Sequence, residues 1–314
     1  MNVIITGASG LVATELIHLL LSEKESYKIY AVSTRPELLK ERYKDNASVV
    51  CLSLQGLGKH AGTQFGAIVH CAFARSKDAG QIAASLQFTE YLLRLTKTLR
   101  PDVFVNISSQ SVYGQSNPLL WTEQTPPAPD YLYALGKYAT ELLTTAALRD
   151  TGIKYTNIRV SSVCENARFL NVFARNALMG EPINVLGGTQ SCSFIDVRDV
   201  VMALKKVIDK SPSMELRQVY NLGTGTTRTI LELAEDVKRI AETELGLPVT
   251  INVLPSDLRQ EVGMDISLFR DTFGWSARYG YDDMARSLLV LNGANCGGGK
   301  MPVSFRIVYK EKQY

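Results

Sequence analysis

Over the first half of this 314-residue chain, short β-branched apolar runs alternate with longer stretches whose apolar residues recur at helical spacing. The runs at 2–6, 29–33, 48–54, 67–71, 103–107 and 155–160 predict strands. The stretches at 11–21, 86–99 and 133–148 predict helices. Such alternation builds βαβ units on a doubly wound parallel sheet buried on both faces, so the fold class is α/β and ligands are expected beyond the carboxyl ends of the strands. Past about residue 161 the pattern loosens into loops at Gly180-Glu181-Pro182 and Gly187-Gly188 and a helix at about 230–245. This predicts a main domain at 1–164, with 191–221 returning to it through segments 194–208 and 218–221. A smaller substrate-binding lobe is expected from 165–190 and 222–314. The tail at 296–314 combines a glycine-rich stretch with an apolar run and receives no role.

Composition narrows the classes of partner. Hydrophobic residues make up 46% and charged residues 21%, which is globular rather than disordered. The net charge is +3 and the basic residues are scattered, so the footprint of a nucleic-acid binder is missing and a small anionic ligand is expected. The five cysteines (Cys51, Cys71, Cys164, Cys192, Cys296) form no Cys-x-x-Cys pair. They read as buried reduced thiols, and no metal is expected. The start of the sequence carries no basic targeting segment, and no apolar stretch approaches the ~18 residues that span a bilayer. A cytoplasmic protein without membrane contact is the expectation.

Directly after the first strand comes Gly7-Ala8-Ser9-Gly10-Leu11-Val12-Ala13, and a helix opens at once. Glycines at such a turn let backbone approach a pyrophosphate, which the helix N-terminus then faces with its unpaired N–H groups. Gly7, Ser9, Gly10, Leu11 and Val12 are therefore candidate cofactor contacts, although two glycines in a strand-to-helix turn can also serve geometry alone. At the end of the second strand an acidic residue would grip the ribose 2′-hydroxyl. The chain has Ser33, Thr34 and Arg35 instead, which suits a 2′-phosphate and favours NADP, with NAD as the alternative. Arg35 could equally cap the helix after Pro36.

Tyr133 and Lys137 stand four residues apart on one helix face. A free tyrosine titrates near ~10, and a nearby ammonium together with a cationic nicotinamide would draw it toward the working range of an acid/base. The pair gains meaning from Ser109, which ends a strand with a hydroxyl where a substrate oxygen would lie.

These segments together resemble the extended short-chain dehydrogenase/reductases, the group of nucleotide-sugar epimerases, dehydratases and 4-ketoreductases. The resemblance rests on Gly7/Gly10/Ala13, Ile68-Val69-His70-Cys71-Ala72, Ser108-Ser109 with Val112-Tyr113-Gly114, Tyr133 and Lys137, Ile158-Arg159, Gly180-Glu181-Pro182-Ile183, 194–200, 220–225 and Phe273-Gly274-Trp275. It implies a doubly wound Rossmann sheet with a smaller C-terminal substrate lobe. In that family Tyr133 would be the acid/base, Lys137 the ribose and phenol contact, Ser109 the group orienting the oxygen, and Cys71 and Ala72 part of the cofactor wall. Gln110 and Ser111 stand where dehydratases carry an Asp-Glu pair, so dehydration is disfavoured. Ser162 replaces an asparagine and Cys192 an arginine of the nucleotide site. Gln110, Ser162, Arg198 and Arg259 are the substrate candidates, and the arginines could supply the missing charge.

The reaction expected is hydride transfer at C4 of a nucleotide-linked sugar, by a 4-ketoreductase or a 4-epimerase. The alternatives are a dihydroflavonol-reductase-like enzyme acting on a non-sugar ketone or aldehyde, and a non-catalytic NAD(P)-binding regulatory protein. Helices 86–99 and 133–148 are expected to pair with their copies in a homodimer, as in many members of the family.

Overall fold

The computed structural model describes residues 1–23, 26–117, 120–258 and 260–295; Arg259, Cys296 and the tail at 296–314 lie outside the described residues. The first half runs β1 (Asn2–Thr6), α1 (Leu11–Ser22), β2 (Lys28–Val32), α2 (Pro36–Arg42), β3 (Val49–Leu52), α3 (Leu54–Leu57), β4 (Ala67–His70), α4 (Ala79–Leu99), β5 (Val103–Ser109), α5 (Leu132–Leu148) and β6 (Lys154–Val160). The second half continues with β7 (Ser162–Val163), α6 (Arg168–Met179), β8 (Ile183–Leu186), β9 (Ser191–Cys192), β10 (Phe194–Ile195), α7 (Val197–Lys210) and β11 (Val219–Leu222). After these come β12 (Arg228–Thr229), α8 (Ile230–Leu245), β13 (Ile251–Leu254), α9 (Ser267–Phe273) and α10 (Tyr281–Asn295).

The central sheet is parallel, in the order β11-β6-β5-β4-β1-β2-β3. Alternation along β1 sends Val3 and Ile5 into the core under α1, α7 and α9, and Ile4 into the core under α3, α4 and α5. Burial on both faces explains the unbroken apolar strands. Strand order reverses between β1 and β4, so the loops that follow them diverge and open a crevice.

A second core joins α6, α8 and α10 to β8 and β13 through Leu170, Phe173, Ile183, Val237 and Leu288. The capping box of Thr229 and Glu232 opens α8, and Gly246 ends it in the left-handed region.

The structure moves three expected boundaries. Helix α4 begins at Ala79 rather than 86, because the Asp78 side chain accepts from the Gln81 N–H and starts the helix two turns earlier. The return to the main sheet begins later than residue 191: β9 pairs antiparallel with β12, Cys192 and Phe194 pack in the lobe, and Ile195 is the first residue in the main core. Residues 267–275 leave the lobe altogether. Phe269, Phe273 and Trp275 pack in the main core, with Phe273 5.2 Å from the Tyr220 ring.

Asp199, in the first turn of α7, fixes the segment before α10 by accepting from the Arg278 and Tyr279 N–H groups at 2.9 and 3.0 Å. Burial pushes its carboxyl up from 3.8 to about 6, against the pull of those two N–H groups. The native state therefore holds more protons than the unfolded chain between about pH 4 and 6, and this group's contribution to stability falls as pH rises through that window. Thermal midpoints of the wild type and Asp199→Asn at pH 4 and 7 check this. The wild type's advantage shrinks toward pH 7, and an advantage that grows would contradict it.

Candidate active site

The crevice begins at the turn after β1. Gly7 has φ +65°, and a Cβ there would lie 2.8 Å from the backbone N and Cα of Ala72, so the loops after β1 and β4 approach to a distance that excludes any side chain. Gly10 caps α1 without a side-chain hydrogen bond, which leaves the first-turn N–H groups to whatever lies in front of them. In front of them lies a cavity of about 360 Å³, walled here by Gly7, Gly10, Leu11, Val12 and Cys71. A closely approached glycine turn and an uncapped helix N-terminus fit the pyrophosphate of a dinucleotide. Ser9 is exposed on the turn and does not line the cavity. At the end of β2, Thr34 and Arg35 are exposed, while Ser33 is buried with its Oγ accepting from the Arg35 N–H.

The same cavity continues past Ser109, Tyr133 and Lys137, so the three candidate catalytic residues share one wall. Ser109 ends β5, and its Oγ accepts from the Ser111 N–H and hydroxyl at 3.2 and 3.0 Å. Gly114 closes this turn at φ +66°, where a Cβ would collide with the Ala128 carbonyl. Tyr133 lies on the first turn of α5 with Phe73 edge-on at 5.9 Å and Tyr131 stacked at 6.2 Å. Burial pushes its phenol up to about 12; the Arg75 charge and a hydrogen bond with Ser109 pull it down, and Tyr131 pushes it up.

Lys137 is largely buried at the cavity wall. Its Nζ donates to the Ile107 carbonyl at 2.5 Å and sits 4.8 Å from the Phe73 ring centre. Burial lowers its pKa to about 8, opposed by Cys71 and Glu141. The ammonium is aimed at the strand carbonyl, and the charge that lowers the phenol is that of Arg75.

Beneath this wall, one turn after Lys137, Glu141 accepts from Arg159 Nε and Nη2 at 3.0 and 2.7 Å and from the Ser108 hydroxyl at 2.5 Å. The Arg159 guanidinium lies 4.7 Å from the Tyr113 ring centre, and the Tyr113 hydroxyl donates to Asn221 Oδ1 at 2.6 Å. One network thus ties α5 to β5, β6 and β11. The i, i+4 spacing of Lys137 and Glu141 was the available signal for Glu141, and only the fold supplies its partner.

Of the substrate candidates, Gln110 and Ser162 both line the cavity, and Gln110 Nε2 donates to Ser162 Oγ at 3.0 Å. Ala72 donates its N–H to Thr6 Oγ1 at 3.4 Å, and its part in the cofactor wall comes through its backbone beside Gly7. Arg198 is a correction. It is buried in a bidentate pair with Asp196 at 2.8 and 2.6 Å and bonds Ser287, so its charge is spent in the core and does not face the cavity. Cys164 and Glu165 adjoin Asp196 in the same cluster, where burial and the Asp196 charge raise the Glu165 carboxyl above its ordinary range. Sequence reasoning missed Phe73, Arg75, Trp121, Asp130 and Tyr131, all on the cavity wall. They belong to aperiodic loops, and only proximity marks them.

Residues 3–223 match the model of the NAD dependent epimerase/dehydratase family. The chain belongs to that family. Among curated relatives of this epimerase/dehydratase chain is dTDP-glucose 4,6-dehydratase of Streptomyces niveus, 24% identical over 311 residues and 90% of each chain. Among solved structures, UDP-glucose 4-epimerase of Thermotoga maritima with UDP-glucose superposes with TM-score 0.78 at 20% identity, covering 94% of this chain and 99% of its own. UDP-glucuronic acid 4-epimerase of Bacillus cereus in complex with NAD gives 0.77 at 19% identity, covering 93% and 96%. The likeness in fold to both epimerases agrees with the Rossmann sheet expected from the sequence.

Proposed function

We propose that this family member transfers hydride at a sugar carbon, C4 of a nucleotide-linked sugar, as an NAD(P)-dependent 4-ketoreductase or 4-epimerase. The observation that carries the reading is a single cavity that runs from the glycine turn to the Ser109 hydroxyl and the Tyr133 phenol. A bound dinucleotide would be held by the turn at Gly7 and Gly10 and the N-terminus of α1, and would supply or accept hydride at its nicotinamide. Ser109 orients the reacting oxygen. Tyr133 exchanges a proton with that oxygen as the carbon gains or loses hydride.

The names of the solved neighbours support an epimerase, and that of the curated relative a dehydratase. Dehydration needs an acid or base at a neighbouring carbon, and Gln110 and Ser111 are neither at neutral pH. Asp130, the only carboxylate on the described cavity wall, already accepts from the Gln115 N–H. A stoichiometric reductant is normally NADPH, so the absence of an acidic residue at 33–35 favours the ketoreductase within this reading. Tyr133→Phe then lowers kcat at least ~100-fold and leaves dinucleotide affinity within about twofold, since it deletes a proton donor and no binding contact. Steady-state kinetics and cofactor titration check both; retained turnover would sink the proposal.

NADP(H) is the preferred cofactor in this reading, although the Bacillus neighbour was solved with NAD. No acid stands at 33–35, and the exposed Arg35 can pair with a 2′-phosphate. Arg35→Ala costs roughly 1.5–3 kcal/mol for NADP(H), one to two decades in affinity, and little for NAD(H). Fluorescence titration with both cofactors measures it. A wild type that prefers NAD(H) and a variant that weakens neither would refute the assignment.

The exposed Tyr91 on α4 and Leu132, Leu135 and Leu142 on α5 form an apolar face suited to a second copy, giving a homodimer. Light scattering at micromolar concentration gives twice the chain mass, and a monomer rejects it. Four free cysteines among the described residues suit the reducing cytoplasm, and no described helix is long and apolar enough to cross a membrane.

A further inference from the structure

The loop between β4 and α4 places Arg75 on the wall of the cavity, and the chemistry proposed above gives this residue no step. Its backbone neighbourhood is fixed, since the Ala74 N–H donates to Ser85 Oγ at 3.0 Å and Phe73 lies edge-on to Tyr133. Arg75 Nη1 donates to the Asn166 carbonyl at 2.8 Å, from the main domain to the entrance of α6. Among the described residues it makes no ion pair, and that one neutral carbonyl is its only hydrogen-bond partner. A guanidinium has five donors in a planar fork suited to carboxylate and phosphate oxygens.

The other cations near the site are occupied. Arg159 and Arg198 each grip a buried carboxylate in two bonds, and the Lys137 ammonium is buried on the Ile107 carbonyl. Arg75 is exposed on the cavity wall, on the loop whose Phe73 lies edge-on to the Tyr133 ring. The cavity wall otherwise holds Asp130 as its one carboxylate, and that residue forms no ion pair with Arg75 among the described residues.

We propose that Arg75 is the anion-binding residue of the substrate half of the cavity, taking a carboxylate or phosphate oxygen of the substrate on the donors left over from its bond to Asn166. The kind of substrate rests on the nucleotide-sugar reading; the anion site itself does not. Two sources share the chemistry: a uronate carboxylate on the sugar, or the pyrophosphate that links sugar to nucleoside.

The test titrates dinucleotide-loaded wild type, Arg75→Gln and Arg75→Lys with UDP-glucose, UDP-glucuronic acid, UDP, free glucuronate and inorganic pyrophosphate. Calorimetry reads affinity, and emission from Trp121, which lines the same cavity, reads occupancy. Loss of the charge-assisted contact weakens the anion about tenfold or more in Arg75→Gln, and Arg75→Lys recovers part of it. Dinucleotide affinity and thermal midpoint stay close to wild type. A loss confined to UDP-glucuronic acid and glucuronate identifies a carboxylate, whereas one shared by UDP-glucose, UDP and pyrophosphate identifies the phosphates.

Wild-type affinity of Arg75→Gln for every ligand overturns the anion site and leaves the nucleotide-sugar reading standing. Binding of glucuronate or pyrophosphate through Arg75 without binding of any nucleotide sugar does the reverse. A wild type that binds none of the five overturns both, and a loss confined to the dinucleotide assigns Arg75 to the cofactor and overturns the substrate site.

Discussion

The buried pair of Arg159 and Glu141 holds the arrangement on which the site depends. Taking both charges out of water is costly, and the cost is offset only because the guanidinium meets the carboxylate in two bonds and the Ser108 hydroxyl adds a third. Each partner belongs to a different element: Glu141 to α5, Arg159 to β6, Ser108 to β5. The pair therefore sets the height and rotation of α5 against the carboxyl ends of the strands. Lys137 and Tyr133 ride one and two turns above it, so their distance from Ser109 is a consequence of an interaction that touches no ligand.

The site above is governed by how well each charge is screened. Tyr133 is desolvated enough to keep its proton, and Lys137 is buried enough to lose part of its hold on its own. The charge that lowers the phenol sits on the loop between β4 and α4. Acid/base behaviour is thus shared between a rigid helix and a segment that also meets the lobe, and the phenol's proton affinity is coupled to whatever occupies the space between them.

Much of this was legible in the sequence because it rests on local rules. Strands buried on both faces read as unbroken apolar runs, the glycine turn sits where backbone must pass close to Ala72, and the Tyr133–Lys137 spacing follows from one helical turn. What stayed hidden depends on contacts between distant segments. Arg75 lies in a polar, aperiodic loop and gains meaning only from the cavity beside it. Arg198 looked like an available cation, but its partner Asp196 is two residues away across a helix cap, a spacing that periodicity does not flag. Helix α9 returns to the main core after the whole of α8 has packed elsewhere, driven by Phe269 and Phe273, which both find Tyr220. The early start of α4 was readable in Asp78, a helix-capping residue, yet the polar first turn behind it masked the signal.

Adjacent side chains on β10 serve different cores, Phe194 the lobe and Ile195 the main sheet. The lobe is accordingly assembled from separated stretches of sequence, each entered from the main domain. It cannot be exchanged between relatives as a cassette by one recombination event, since several crossovers would have to fall together. Change in the substrate half of the cavity must come residue by residue, within a frame that the cofactor half holds constant.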